Sequence, residues 1–119
     1  PGEHLASAPR NLVVDLESYD WEDDEPPRRP ASQTVIYELH VRGFTRHPSS
    51  RVDEARRGTY AGLREKIPYL VELGVTAVEL MPVFAFDAQD APEGNTNYWG
   101  YAPLSFFAPH AAYASSRDP

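Results

Sequence analysis

Thr34-Val-Ile-Tyr-Glu-Leu-His-Val-Arg-Gly-Phe-Thr45 is the stretch on which the reading of this chain turns. β-Branched and aromatic residues open it, Leu39 and Val41 continue it, and Gly43 ends it, which favours a strand over a helix. Val35, Tyr37, Leu39 and Val41 fall on one face; Ile36, Glu38 and His40 fall on the other. A strand buried mainly on one side fits the inner sheet of an α/β protein. A second apolar run, Val75-Thr-Ala-Val-Glu-Leu-Met-Pro-Val83, repeats the pattern after an intervening helical stretch. The unit reads strand–helix–strand, for which parallel pairing is the default.

The stretch between the two runs carries its own punctuation. Thr59 offers an N-cap. Leu63, Ile67, Leu70 and Val71 then recur at i, i+4, i+7 and i+8, one stripe of a helix. Pro68 interrupts that stripe, where it removes a hydrogen bond and crowds the preceding turn. A two-part helix is predicted, with Pro68 near the start of the second part. Gly74 supplies the stop. Upstream, Arg46 to Gly58 is polar and reads as an exposed loop. Its arginines Arg51, Arg56 and Arg57 invite a phosphate, but no glycine-rich loop accompanies them, and solvated charges are the better reading.

Past the second run, Phe84-Ala-Phe-Asp-Ala-Gln-Asp-Ala-Pro-Glu-Gly-Asn-Thr-Asn97 reads as a loop. It leaves the C-terminal end of a parallel strand, the edge at which α/β sheets and barrels hold ligands. Asn97-Tyr-Trp-Gly-Tyr101 follows, with three aromatic residues beside one glycine. It is either a satellite hydrophobic cluster under a long loop or a platform for sugar rings. In the tail, Leu104-Ser-Phe-Phe107 is strand-like and Pro109 to Ala114 suggests one helical turn.

Composition bounds the function classes. A chain of 119 residues holds one modest core. It has no cysteine, so neither a disulfide framework nor a thiolate zinc site is available. No apolar run reaches the roughly 20 residues of a membrane span, and no signal peptide is expected, so a cytoplasmic protein without a membrane partner is anticipated. The net charge of −7 argues against a nucleic-acid partner. Much of that charge sits in residues 1–30, where five prolines break any long element and a connector is expected. Asn11 to Leu16 suggests a short edge strand there, and Tyr19 and Trp21 suggest anchors for a neighbour. The acidic run Asp20 to Glu25 lacks the spaced ligands and turn glycine of a calcium loop, and reads as a solvated turn. No metal site and no cofactor are expected.

Four stretches together carry a family resemblance. Val35 to Thr45, Gly58-Thr-Tyr-Ala-Gly-Leu63, Tyr69 to Val83 and Asn97-Tyr-Trp-Gly-Tyr101 resemble, in order and spacing, the α-amylase superfamily (glycoside hydrolase family 13). Within it they look most like the isoamylase-type glycogen debranching enzymes. The resemblance covers roughly residues 11–119, and the Asp87-to-Pro92 loop that precedes Asn97 favours debranching over branching and trehalose-forming relatives. It implies an α/β fold, the first part of a (β/α)₈ barrel. Val35–Arg42 would be its first strand, Tyr60–Leu73 its first helix and Val75–Leu80 its second strand. Residues 1–33 would link a preceding β-sandwich domain to the barrel part, 34–119.

The implied activity is hydrolysis of α-1,6 branch linkages in glycogen or a related α-glucan, the expected partner. The family's catalytic Asp, Glu and Asp would lie in later strands, so this chain alone is expected to be inactive. Glu38 and Glu79 match neither role and are read as partners to barrel arginines or backbone. Tyr101 matches the family aromatic after the second strand that stacks on the sugar under attack; Trp99 and Tyr98 are further contacts or supports. His40 is read as a hydrogen-bonded structural group on a strand, and His110 as a loop residue. Two other readings stand beside this one: a non-catalytic carbohydrate-binding or structural fragment, and a relative such as a glucan branching enzyme.

Overall fold

The computed structural model describes residues 13–115. Its centre is the parallel pair β1 (Ile36–Leu39) and β2 (Ala77–Leu80), in register from Ile36 opposite Ala77 to Leu39 opposite Leu80. Three short helices lie between them: α1 (Val41–Arg46), α2 (Tyr60–Glu65) and α3 (Ile67–Glu72). The parallel β-α-β unit is thus present, and no closed barrel forms among the described residues. A second, antiparallel pair follows, β3 (Phe84–Phe86) with β4 (Pro103–Pro109).

The first strand is shorter than the pattern predicts. It stops at His40, where the chain turns into α1. The His40 backbone is extended and its Nδ1 accepts a hydrogen bond from the Gly43 N–H at 3.0 Å, an N-cap made by a residue outside the usual set. Tyr37 and Leu39 keep the inward parity, and Val41 is buried from a helix rather than from the strand. Val35 stays exposed at the strand entrance.

The helical punctuation reads as expected. Thr59 Oγ1 accepts from the Gly62 N–H at 3.2 Å, and Pro68 sits in the first turn of α3. Gly74, at φ +87°, closes α3 with a paired motif: its N–H reaches Val71 C=O and the Val75 N–H reaches Leu70 C=O, both at 3.0 Å. That use of Val75 explains why β2 begins only at Ala77. The predicted stripe is half right. Leu63 and Leu70 turn inward, but Ile67 and Val71 are exposed.

Two expected loops are more ordered than their composition suggests. Arg46 to Gly58 holds two 3₁₀ turns, Pro48–Ser50 and Glu54–Arg56. They are tied to buried Thr45, whose Oγ1 accepts from Gly58 N–H at 2.7 Å and whose carbonyl accepts from Ser50 Oγ at 2.9 Å. Its arginines serve structure: Arg57 Nε donates to Val52 C=O at 2.9 Å and Arg56 pairs with Glu65. The stretch after Val83, read as a loop from Phe84, begins instead with β3. Bulges between Phe84 and Phe86 and prolines at both ends of β4 hide this pair from a period-two reading. The helical turn in the tail is present as Ala111–Tyr113. The core joins these parts: Val41, Phe86 and Tyr113, with Tyr60, Leu63 and Val83 against them.

Upstream, residues 13–16 form no strand. Asp15 caps a 3₁₀ turn at Leu16–Ser18 instead, and Asn11 and Leu12 lie outside the described residues. Tyr19 and Trp21 stack edge-on against each other at 4.8 Å and stay exposed. Asp20 Oδ1 accepts from the Glu22 N–H at 2.8 Å within the acidic turn. Among the described residues no three His, Asp or Glu side chains converge as metal ligands, and no helix is long and apolar enough to cross a membrane.

Gly62 fixes how α2 lies on this framework. It is buried, and a Cβ there would run into the backbone carbonyl of Arg56. Alanine gains about 1 kcal/mol over glycine in a helix interior, but forcing two backbones apart costs about 1–3 kcal/mol. The clash is with backbone and cannot rotate away, so the cost wins. Gly62→Ala in the complete protein is expected to lower the melting temperature; a raised one would show that α2 slides freely off Arg56.

Candidate functional site

The aromatic segment Asn97–Tyr101 is held from three sides. The Asn97 N–H donates to Ala88 C=O at 2.9 Å, and Asn97 Oδ1 accepts from the Gly100 N–H at 3.0 Å. Gly100, at φ +77°, rests on Phe86, whose ring atoms lie 2.7 Å from where a Cβ would be. Only glycine meets both the left-handed turn and that close approach. On the third side, Tyr98 lies flat on His40 with ring centroids 4.3 Å apart and planes 11° apart. Trp99 stands edge-on to both, 5.1 Å from Tyr98 and 5.8 Å from His40.

These contacts separate the roles of the three aromatic residues. Tyr98 is 40% exposed and packed on a side chain, a supporting position. Trp99 is 52% exposed. Tyr101 is 69% exposed and stands at the rim of an open cleft of about 360 Å³ that Glu38, Glu79, Met81, Phe84 and Phe106 also line. The cleft lies at the end of β2, at the edge where a ligand was expected.

Glu38 and Glu79 are register partners on adjacent parallel strands, side by side on one face of the sheet. Like charges placed so are unfavourable unless a cation or donor joins them.

His40 is buried, and its tautomer follows from its partners. Nδ1 accepts from Gly43, so Nε2 carries the hydrogen and donates to Tyr98 C=O at 2.9 Å; the Tyr113 hydroxyl lies 3.2 Å from the same nitrogen. The structural, hydrogen-bonded role read for His40 therefore holds, although it caps a helix rather than sitting within a strand. Burial raises the Tyr113 hydroxyl above its usual pKa, with Tyr60 and Tyr98 adding to the rise and Arg42 opposing it, so it stays protonated at neutral pH. His110 is more than a loop residue. It stacks on Phe86 at 3.8 Å and meets Tyr113 at 4.7 Å. Burial, then the charge of Arg42, holds it below the ordinary histidine value, and it is neutral at pH 7. Sequence reasoning missed Phe86 and Tyr113 as the supports of this site. The sole signal for Tyr113 is an aromatic residue among the small residues 111–116.

Comparison with solved proteins places this arrangement. No family model matches the chain. Its structure is similar to type I pullulanase of Bacillus subtilis strain 168, solved with maltose: 35% identity over 91% of this chain and 17% of that one, TM-score 0.71. It is also similar to the pullulanase of Paenibacillus barengoltzii, solved with maltohexaose and α-cyclodextrin: 30% identity over 88% of this chain and 20% of that one, TM-score 0.66. A third similarity is to the catalytic module of the glycogen-degrading pneumococcal virulence factor SpuA: 35% identity, 71% of this chain and 13% of that one, TM-score 0.58. The chain thus spans about one fifth or less of the length of these proteins. Its fold is a portion of a glycoside hydrolase catalytic domain of this kind.

Proposed function

We propose that this chain is part of the catalytic barrel of a cytoplasmic enzyme of glycoside hydrolase family 13 that hydrolyses α-1,6 branch linkages in an α-glucan. One observation carries the reading. In a fold similar to pullulanase domains, an exposed tyrosine ring stands over a cleft at the C-terminal end of β2. A pyranose presents C–H groups on its faces, which pack on an aromatic face while hydroxyls at the ring edge reach polar neighbours. Tyr101 is the stacking face, Trp99 a second contact and Tyr98 the support beside Trp99. Residues 1–33 then serve as the connector from a preceding domain, and the open Tyr19–Trp21 pair is what that neighbour would cover.

The similarities are to pullulanases, whereas the sequence motifs look most like isoamylase-type enzymes. The two differ in substrate, so one assay addresses both levels. The complete parent protein is incubated with pullulan and with glycogen, and released reducing ends are counted. Maltotriose released from pullulan, or linear chains released from glycogen, supports debranching; action on glycogen alone supports the isoamylase-type reading. Binding of malto-oligosaccharide without hydrolysis of either polymer would leave a carbohydrate-binding fragment and overturn the enzyme reading.

A further inference from the structure

We propose that His40, which the cleft does not expose, is a positioning residue that sets the tilt of the aromatic rim. This rests on the α-glucan reading above. His40 is only 7% exposed, so it acts through its neighbours and not on the sugar. Its two nitrogens bind different segments. The Gly43 N–H fixes Nδ1 as an acceptor at 3.0 Å, which leaves the hydrogen on Nε2, aimed at the Tyr98 carbonyl at 2.9 Å. That carbonyl belongs to the peptide joining Tyr98 to Trp99, so holding it sets the plane from which Trp99 departs. Two residues on, Gly100 turns the chain and Tyr101 emerges.

The ring adds a floor to this tether. Tyr98 lies parallel on it, and the Tyr98 hydroxyl reaches across to α1, where a Cβ on Gly43 would lie 2.8 Å from it. A methyl group on Gly43 would displace that hydroxyl and with it shift the ring over the histidine. Tyr113, fully buried, closes the third side with its hydroxyl at Nε2. A histidine needed only to cap a helix would require none of these contacts with a segment 58 residues away.

Three variants of the complete enzyme separate positioning from capping. His40→Asn keeps an acceptor near the Nδ1 position but loses the ring and the donor to Tyr98. His40→Gln places an amide near the Nε2 position but loses the cap. Gly43→Ala leaves His40 intact and displaces Tyr98. The expected result is a KM, for whichever of pullulan and glycogen the wild type cleaves, raised roughly five- to tenfold in His40→Asn and Gly43→Ala with kcat little changed; His40→Asn, which empties a buried ring site, should also melt lower. His40→Gln should melt lower yet recover much of the KM. The reverse pattern, with KM unmoved in His40→Asn and Gly43→Ala, would reduce His40 to a cap. The enzyme reading fails separately: a wild-type protein that leaves pullulan and glycogen intact sinks it, and the positioning role with it. Normal wild-type turnover with a damaged Tyr101→Ala and an unaffected Gly43→Ala overturns the positioning role alone.

Discussion

Residues 1–119 on their own are expected to release no more reducing sugar from glycogen or pullulan than a heat-denatured control. The chain spans 20% or less of the pullulanases it resembles, and the catalytic Asp, Glu and Asp that the resemblance implies are expected in later strands. Loss of even one of a set of groups that act together removes most of the rate, and here the whole set is expected to be missing. The isolated chain should also lack a cooperative melt. Six large hydrophobic residues are buried among those described, against twenty exposed. The accessible surface of 10318 Å² compares with about 6,500 Å² for a compact monomer of 13.3 kDa. Both sheets have two strands, fewer than independent stability requires. A broad transition or association in solution is the expected outcome. Turnover above the control would direct suspicion at Glu38 and Glu79 and undo the barrel placement. A sharp monomeric melt would show a complete small domain.

What could be read from the sequence was whatever local chemistry decides. Thr59, Pro68 and Gly74 each act through their own backbone or side chain, so the broken helix and its two ends are legible without knowing what packs on them. The strands Ile36–Leu39 and Ala77–Leu80 are legible because β-branched runs of that length have few alternatives. The turn into α1 is not, since the apolar alternation continues through Val41 and the capping residue is a histidine. The Phe84–Phe86 strand is not either: its partner lies beyond the aromatic segment, and the register between them is irregular. For the site, composition marks Tyr98, Trp99 and Tyr101 but says nothing of which ring is free. That depends on His40 and Phe86, which reach the segment from other parts of the chain.

Because Tyr101 is the ring left open, its replacement should separate sugar stacking from structural support. Tyr101→Ala in the complete enzyme removes one aromatic face, a loss on the order of 1–3 kcal/mol by analogy with base stacking. At about 1.4 kcal/mol per decade this is roughly a five- to hundred-fold fall in kcat/KM. Tyr101→Phe keeps the face and loses only a hydroxyl, so it should fall far less. Stability argues the same way from the other side. A ring 69% exposed buries little, and its truncation should move the melting temperature by no more than an ordinary surface change. If Tyr101 were a structural plug, the alanine variant would melt lower while keeping its activity per folded molecule. If phenylalanine proved as damaging as alanine at unchanged stability, the hydroxyl would be the working group. Measuring kcat/KM and melting temperature on both variants distinguishes the three, because stacking alone predicts a large kinetic loss in one variant, a small one in the other, and stability preserved in both.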